Sequence, residues 1–418
     1  MGTKEETERL IRRAKEASRH VARMTTNQKN SALNRMADGL EKEKEAIMAA
    51  NEKDMTAGKE EGLSLAVLDR LRLDEKRIMA MADGVRDVVK LPDPVGEITG
   101  MKRRPSGISV GQMRVPLGLV GFIYESRPNV TSDAAALCLK SGNAVALRGG
   151  SEAIHSNLTI ARVLSQAVAA EGAPPGAITI MPTVDRQAVA AMLKLDKLID
   201  VIIPRGGTEF IKYVMANSSI PVIAHDAGVC HVYIDRLADL AMGQDIAFNA
   251  KVQRPGVCNA AETLLVHQEV AAAFLPAMVE RYRKVGVELV GCPRTMSLAP
   301  GVAEATEEDW RTEYLDLKIS IRVVDSLDEA IDHITKYGSA HTEAIVTEDY
   351  SAAGEFLARV DSSSVMVNAS TRFSDGGEYG LGAEIGISTQ KLHARGPMGL
   401  NELTCQKFIV LGTGQVRG

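Results

Sequence analysis

The sequence lacks the motifs that identify several common kinds of site. Its 5 cysteines among 418 residues are widely spaced and form no Cys-x-x-Cys pair, which argues against a zinc knuckle and a disulfide framework. It contains no His-Glu-x-x-His motif, no Gly-x-Ser-x-Gly motif and no Gly-x-Gly-x-x-Gly motif. We therefore expect no catalytic metal and no serine-hydrolase triad, and the usual dinucleotide fingerprint is missing.

Long hydrophobic runs are also missing. The longest uncharged apolar run, near residues 117–124, has the length of a strand, and the first residues show no apolar core of a secretory signal. The 49 basic and 54 acidic residues give a net charge of -5, which argues against overall binding of nucleic acid. We expect a soluble, cytoplasmic protein of two or three domains with no nucleic-acid or membrane partner.

The first part of the chain predicts helices followed by a hairpin. Apolar residues recur at helical spacing over residues 3–51, with a Thr25-x-x-Gln28 capping box between two helices. Two prolines and a glycine in residues 92–96 end this pattern. Residues 97–113 are short, polar and alternating, which predicts a hairpin that departs from the main fold.

The rest of the chain predicts an α/β architecture. After Pro116, strand-like segments alternate with helical ones at the spacing of βαβ units, which implies mostly parallel sheets covered by helices. The predicted strands are LGLVGFIYE, AVAL, AITIM, LIDVII, PVIA, HVYI, TLLVH, SIRVV, EAIVT and SVMVN. The glycine-rich residues 375–386 predict a loop near a ligand.

Cys258 is the cysteine whose setting best suits a nucleophile. It lies in the sequence QRPGVCN, at the junction of a predicted helix with a predicted strand. Thiolates are favoured by nearby positive charge and exposed backbone amides, and Arg254 with the Gly256 turn would supply both. The alternative is a buried, inert cysteine, which is the interpretation we give to the other four.

Asn129 follows the carboxyl end of a predicted buried strand, where ligands of open α/β sheets bind. Its amide is a candidate donor to a developing oxyanion, and one such donor contributes roughly 3 to 4 kcal/mol to catalysis. The alternative role is a turn or a helix cap, since asparagine is common at both.

Two glycine pairs predict anion sites. Gly149 and Gly150 follow Arg148 at the end of one strand, and Gly206 and Gly207 follow an arginine at the end of another. A cation, flexible backbone and a helix start together favour phosphate binding. Ordinary turn glycines are the alternative at both junctions.

Taken together, these segments resemble the aldehyde dehydrogenase superfamily, and within it the gamma-glutamyl phosphate reductase branch. The resemblance covers nearly the whole chain, and the segment from Val324 to Ile345 carries the signature of that branch. The other matching segments are Pro116-Leu117-Gly118, Arg127-Pro128-Asn129, Arg148-Gly149-Gly150-Ser151-Glu152 and Gly256-Val257-Cys258. The resemblance implies two Rossmann-like α/β domains and a small β-hairpin element for oligomerisation.

The resemblance also implies ranges for these parts. The NADPH-binding domain would comprise residues 1–96 and 114–229, with the helical lead-in. The catalytic domain would comprise residues 230–385, and the oligomerisation element residues 97–113 and 400–418. We expect a homo-oligomer, and an association with glutamate 5-kinase is left open.

The activity implied by the resemblance is NADPH-dependent reduction of L-glutamate 5-phosphate to L-glutamate 5-semialdehyde and phosphate, the second step of proline synthesis from glutamate. Cys258 matches the family nucleophile, and Asn129 matches the asparagine that holds the oxyanion. The cofactor would be bound by Arg148 and the adjoining Gly149 near a ribose, by Gly206 and Gly207 near the pyrophosphate, and by Glu313 at the nicotinamide ribose. Arg127, Arg254 and Arg372 are candidates for binding the anionic substrate, with solvated surface arginines as the alternative.

One departure from the superfamily pattern is informative. Aldehyde-oxidising relatives carry a glutamate that activates water in a Glu-Leu-Gly-Gly segment, where this chain has Ala-His-Asp-Ala-Gly at residues 224–228. Loss of that base would let a thioester survive until it is reduced, although His225 or Asp226 remains as a candidate base. The alternatives are a hydrolysing aldehyde dehydrogenase for another small aldehyde, a thiol hydrolase or amidase, and a non-catalytic binding protein.

Overall fold

The computed structural model describes residues 2–224 and 227–417. The chain forms two compact units. Unit 1 comprises Met1–Ala224, Gly380–Gly386 and Met398–Gly418, and unit 2 comprises His225–Tyr379 and Ile387–Pro397. The domain roles expected from the resemblance stay predictions. Within the described ranges, the helices are too short or too polar to cross a lipid bilayer.

Unit 1 begins with helices that bury one face each. The helices are α1 (Thr3–Val21), α2 (Thr26–Lys42), α3 (Lys44–Glu60), α4 (Leu65–Leu71) and α5 (Glu75–Lys90). The predicted capping box starts α2: the Thr25 hydroxyl accepts a hydrogen bond from the Gln28 amide at 3.3 Å, and Gln28 Oε1 accepts one from the Thr25 amide at 2.9 Å. This sequence prediction is confirmed.

The hairpin predicted at residues 97–113 is also present in unit 1. β1 (Ile98–Arg103) and β2 (Ser109–Pro116) pair antiparallel, and the late strand β16 (Thr404–Leu411) pairs antiparallel with the other edge of β2. Apolar side chains on these strands are exposed, Phe408 by 71% and Leu411 by 61%.

The parallel sheet of unit 1 has the order β5-β4-β3-β6. Its elements are β3 (Leu119–Tyr124), α6 (Val130–Lys140), β4 (Ala144–Gly149), α7 (Ile154–Ala170), β5 (Ile178–Ile180), α8 (Arg186–Met192), β6 (Val201–Arg205) and α9 (Thr208–Asn217). Tyr124 lies level with Gly149 on one side and Arg205 on the other. The ends of three neighbouring strands therefore place the Asn129 segment and both glycine junctions at one edge of the sheet.

The prediction of a strand at PVIA, residues 221–224, is wrong. Only an isolated bridge joins Val222 to Ile202. Pro221 has no amide hydrogen to donate to a ladder, so the segment forms a single bridge instead of a strand.

Unit 2 holds the second parallel sheet, in the order β10-β9-β11-β8-β7-β12-β13. Its elements are β7 (Cys230–Ile234), α10 (Leu240–Val252), β8 (Ala261–His267), α11 (Gln268–Arg283), β9 (Glu288–Gly291), α12 (Pro293–Leu298), β10 (Ala303–Glu304), β11 (Lys318–Val324), α13 (Leu327–Tyr337), β12 (Thr342–Val346), α14 (Tyr350–Arg359) and β13 (Ser364–Val367). The short strands β14 (Gly386–Ser388) and β15 (Gly396–Met398) follow. Apolar side chains of β7, β8 and β11 pack against α11 in the main core of this unit. The loop that carries Cys258 connects α10 to β8, as the sequence predicted.

Candidate active site

The Cys258 loop, residues 253–260, is contacted at the Cys258 carbonyl by two residues outside the loop. Cys258 is half-buried. The Cys230 thiol, at the start of β7, donates to the Cys258 carbonyl at 3.2 Å. A Cβ at Gly228 would overlap that same carbonyl, so only glycine fits there. Cys230 and Gly228 thus fix the position of the peptide group between Cys258 and Asn259.

Arg372 fastens the two ends of the Cys258 loop. It lies on the short turn Thr371–Phe373, and its Nε donates to Gln253 Oε1 at 2.8 Å while another guanidinium nitrogen donates to Asn259 Oδ1. Asn259 in turn donates to the Ser374 carbonyl at 2.9 Å. Since Gln253 and Asn259 flank the loop, one planar guanidinium spans it.

The charge around Cys258 is positive. Desolvation lowers the pKa of Arg372, the nearby Arg254 cation lowers it further, and the interaction with Cys258 opposes both. Arg254 itself is exposed on the same loop. Two of the three predicted arginines, Arg254 and Arg372, therefore lie near the cysteine.

Glu313 lies beside the same loop. Its carboxylate accepts a hydrogen bond from the Gly228 amide at 2.9 Å, and Gly228 abuts the Cys258 carbonyl. Burial raises the pKa of Glu313, while that hydrogen bond lowers it. The predicted cofactor residue Glu313 and the predicted nucleophile are thus neighbours within unit 2.

Asn129 belongs to unit 1, where it precedes α6 and lies next to the half-buried carboxyl group of Asp133. Asn129 Nδ2 donates to Asp133 Oδ2 at 3.0 Å. Burial raises the pKa of Asp133 to about 6, against the opposing effect of the Asn129 hydrogen bond. The amide has two N–H groups, so this contact fixes its orientation and leaves the second N–H for a ligand. Arg127 is exposed two residues before it.

The two glycine junctions of unit 1 each hold a carboxylate. The Gly207 amide, at the start of α9, donates to Glu125 Oε2 at 2.9 Å, and a Cβ at Gly206 would overlap this carboxylate. Glu152 accepts from the Ser126 hydroxyl at 2.7 Å and lies against Gly150. The start of α9 therefore attracts an anionic oxygen, as its amides and dipole require.

Arg148 offers a second feature that fits an anionic cofactor. One of its terminal nitrogens donates to the Val184 carbonyl at 3.0 Å, whereas its Nε is buried and meets no hydrogen-bond acceptor in the described part of the chain. Desolvation lowers the pKa of this guanidinium. Its neighbour Gly149 leaves no room for a Cβ, which would overlap Asn157. An unsatisfied buried donor beside a glycine junction suits a ribose or phosphate oxygen.

Several residues with direct contacts to the site were missed from the sequence. Glu125 and Glu152 adjoin the predicted glycine junctions or strand ends, and that adjacency was the available signal. Cys230 and Asp133 gave none, because a strand cysteine and a helix aspartate have no distinctive pattern. The candidate bases His225 and Asp226 lie outside the described residues. No group of three or more His, Cys, Asp or Glu side chains is arranged for a metal ion within residues 2–224 and 227–417.

Comparisons with known proteins agree along the whole chain. The model of the aldehyde dehydrogenase family matches residues 1–312. A gamma-glutamyl phosphate reductase of Moorella thermoacetica is 59% identical over 405 residues, which are 97% of each chain. One from Caldanaerobacter subterraneus is 56% identical over 412 residues, 99% of this chain and 100% of that one. The crystal structure of the gamma-glutamyl phosphate reductase of Thermotoga maritima is 46% identical, with a TM-score of 0.97 and complete coverage of both chains.

Proposed function

The chain belongs to the aldehyde dehydrogenase family, and from this premise we propose that it reduces L-glutamate 5-phosphate to L-glutamate 5-semialdehyde and phosphate in the cytoplasm, with NADPH as the reductant. This is the proline-synthesis step performed by the relatives that it matches over nearly its full length. The observation that supports this chemistry most directly is the Cys258 loop, which is held by the Arg372 cation and carries a second cation, Arg254.

The first half of the reaction forms a thioester on Cys258. The thiolate attacks the γ-carbonyl carbon of the acyl phosphate, and the tetrahedral oxyanion collapses as the C–O bond to phosphate breaks. Arg254 and Arg372 stabilise the thiolate and the departing phosphate dianion, and Arg127 is a further candidate for an anionic group of the substrate. We assign the oxyanion donors to the Cys258 amide and to the second N–H of Asn129, as the family resemblance implies.

The second half of the reaction reduces the thioester. The nicotinamide, when bound, supplies the hydride. The same donors then stabilise the second oxyanion, which collapses to the aldehyde and expels the Cys258 thiolate. Arg148, Gly149, Gly206 and Gly207 are proposed to hold the cofactor phosphates and ribose, with Glu313 at the nicotinamide ribose. A cation such as Arg148 suits the additional phosphate of NADPH, which is our reason for preferring it to NADH.

The test follows the reaction in reverse, because the acyl phosphate is labile. NADP reduction is measured by absorbance with the semialdehyde plus phosphate or arsenate, against a panel of simple aldehydes and against NAD. We expect turnover with the semialdehyde only when phosphate or arsenate is present, and more slowly with NAD. Turnover of simple aldehydes without phosphate would instead establish a hydrolysing aldehyde dehydrogenase.

We also propose that the sheet formed by β1, β2 and β16 mediates oligomerisation. Its exposed apolar side chains, among them Phe408 and Leu411, support this role. Deleting residues 97–113 is expected to lower the mass measured by light scattering, and an unchanged mass would reject it. Association with glutamate 5-kinase remains a prediction from the lability of the acyl phosphate, and co-sedimentation of the two purified enzymes tests it.

A further inference from the structure

A buried ion pair closes the base of the Cys258 loop. Lys251 lies in the last turn of α10 and Glu262 is the second residue of β8, so they flank the loop in sequence. Lys251 Nζ donates to Glu262 Oε2 at 2.6 Å, and both side chains are fully buried. Burial raises the pKa of Glu262 to about 8 against the attraction of Lys251, and it lowers the pKa of Lys251. A pair of this kind is weak support for stability alone.

The other oxygen of Glu262 reaches a strained peptide. Glu262 Oε1 accepts a hydrogen bond from the Leu315 amide at 3.3 Å. Leu315 has a φ of +54°, in the left-handed region that residues other than glycine and asparagine rarely adopt. Its side chain is 44% exposed, so burial of that side chain contributes little to holding this conformation. Strain of this kind persists only where surrounding contacts enforce it, and it is frequent at functional sites.

The Leu315 segment approaches the Cys258 loop at Gly256 and is linked to it indirectly through Gly228. The Leu315 carbonyl lies 3.5 Å from the position that a Cβ on Gly256 would take. Two residues earlier, Glu313 accepts from the Gly228 amide, and Gly228 abuts the Cys258 carbonyl. The conformation of Leu315 thus sets where Glu313 and the nucleophile loop lie relative to each other.

We propose that Glu262 is a positioning residue for this site: its carboxylate holds Leu315 in the left-handed conformation and so aligns Glu313 with the Cys258 loop. Lys251 holds Oε2 of that carboxyl group, which leaves Oε1 directed to the Leu315 amide. The role of the alignment in turnover rests on the proposed function, whereas the alignment itself does not.

Two double variants separate positioning from stability. Lys251→Met with Glu262→Leu removes both charges and leaves an apolar pair, whereas Lys251→Met with Glu262→Gln keeps an acceptor for the Leu315 amide but buries an unsatisfied amide group. We expect the variant with Glu262→Leu, the Leu form, to have a higher Tm than the variant with Glu262→Gln, the Gln form. The Leu form should nevertheless lose on the order of 10- to 100-fold in kcat/KM, mostly because the KM for the nicotinamide cofactor rises. The Gln form should be less stable and within about threefold of wild-type activity. The proposal would be overturned if the variant with the higher Tm also had the higher kcat/KM.

Relief of the strain supplies a rescue with a matched control. Glycine adopts a positive φ as readily as a negative one, so Leu315→Gly added to the Lys251→Met and Glu262→Leu variant should recover at least about threefold in kcat/KM. Ala340 has a φ of +58° in the same unit, where its carbonyl accepts a hydrogen bond from the Ser363 amide, so Ala340→Gly in the same background should recover nothing. Equal recovery by both glycines, or by neither, would contradict the proposal.

One further measurement does not depend on the substrate. Amide hydrogen exchange over residues 253–260 and 312–317 should be about tenfold faster in the Leu form than in the Gln form, because only the latter retains the acceptor for Leu315. This difference is expected even if the wild-type protein fails to oxidise the semialdehyde, a result that would reject the proposed function alone. Equal exchange in the two forms would reject the positioning role.

Discussion

The surroundings of Asn129 in unit 1 and those of Cys258 in unit 2 use their acidic residues in opposite ways. Around Asn129, acidic side chains accept hydrogen bonds from amide groups: Asp133 from one N–H of the Asn129 side chain, and Glu125 from the Gly207 backbone amide. Near Cys258, the Arg372 cation interacts with the thiol and with Arg254, while the carboxyl group of Glu262 is paired with Lys251 at the base of the loop.

The difference indicates which region must change to work. The Cys258 loop is already held by the contacts of Arg372 and Cys230, so the proposed nucleophile would need little rearrangement. At the start of α9, an anionic cofactor would first have to displace the carboxylate that stands in its place. A net charge of -5 is therefore compatible with local anion positions, because the start of α9 already binds a carboxylate oxygen.

The largest effect is expected at the nucleophile. Cys258→Ala should reduce phosphate-dependent semialdehyde oxidation by at least about 1000-fold, because it removes the covalent step, while cofactor affinity measured by calorimetry stays within about twofold. Cys405→Ser, at an exposed position on β16, is the control and should retain full activity. Residual activity above about a hundredth of wild type would refute the covalent mechanism.

The next largest effect is expected at Arg372, which hydrogen-bonds to both ends of the Cys258 loop. Arg372→Met removes both the charge and the bridge between Gln253 and Asn259, and should lower kcat/KM by about 100-fold. Arg372→Lys keeps the charge but lacks the planar fork, so a loss of about tenfold is expected. Arg359→Met, which removes an exposed arginine on α14, should change kcat/KM less than twofold. Equal activity of the Met and Lys variants would show that only one of the two functions matters.

The carboxyl beside Asn129 gives a pH-dependent prediction. An acid whose pKa rises on folding binds more protons when folded, so folding stability falls as the pH rises from about 4, where the free acid titrates, to about 6, where Asp133 titrates in the folded protein. Asp133→Asn removes this penalty and should raise the free energy of unfolding by roughly 2 to 3 kcal/mol above pH 7 and by almost nothing near pH 4. Urea denaturation across this range measures it, and a pH-independent difference would contradict it.

The smallest effect is expected at the carboxylate that occupies the start of α9. Glu125→Gln keeps an oxygen for the Gly207 amide but removes the negative charge, and should lower the KM for the nicotinamide cofactor by about 3- to 10-fold. Glu209→Gln removes a charge from the first turn of the same helix without that contact and should change the KM less. If Glu125→Gln raises the KM, Glu125 assists cofactor binding and does not compete with it.

Much of this fold was predictable from the sequence because its signals are local. Apolar runs that alternate with helical segments predicted β3, β4, β6, β7, β8, β11, β12 and β13. Glycine pairs at strand ends predicted two strand-to-helix junctions of unit 1 as anion sites. PVIA failed because Pro221 removes a ladder donor, which only the sheet context reveals.

The contacts of the site were less predictable. The contact of Glu152 with Ser126 depends on a positive φ at Ser126. Lys251 and Glu262 look in the sequence like an ordinary helix end and an ordinary strand start. Their pairing depends on how the loop between α10 and β8 folds back, and the contact of Glu262 with Leu315 joins segments that are distant in the chain.

The register of the first parallel sheet has a consequence for synthesis. Tyr124 lies level with Gly149 and Arg205, so the two glycine junctions and the Asn129 segment become neighbours only after β3, β4 and β6 have paired. These strands are far apart in the sequence, and such pairings form late. A nascent chain released before β6 has left the ribosome contains β3 and β4 but not the start of α9. If the proposed cofactor site is correct, nicotinamide nucleotides should therefore protect only chains extended past α9 from proteolysis, and the cofactor would selectively stabilise chains in which the first parallel sheet is complete.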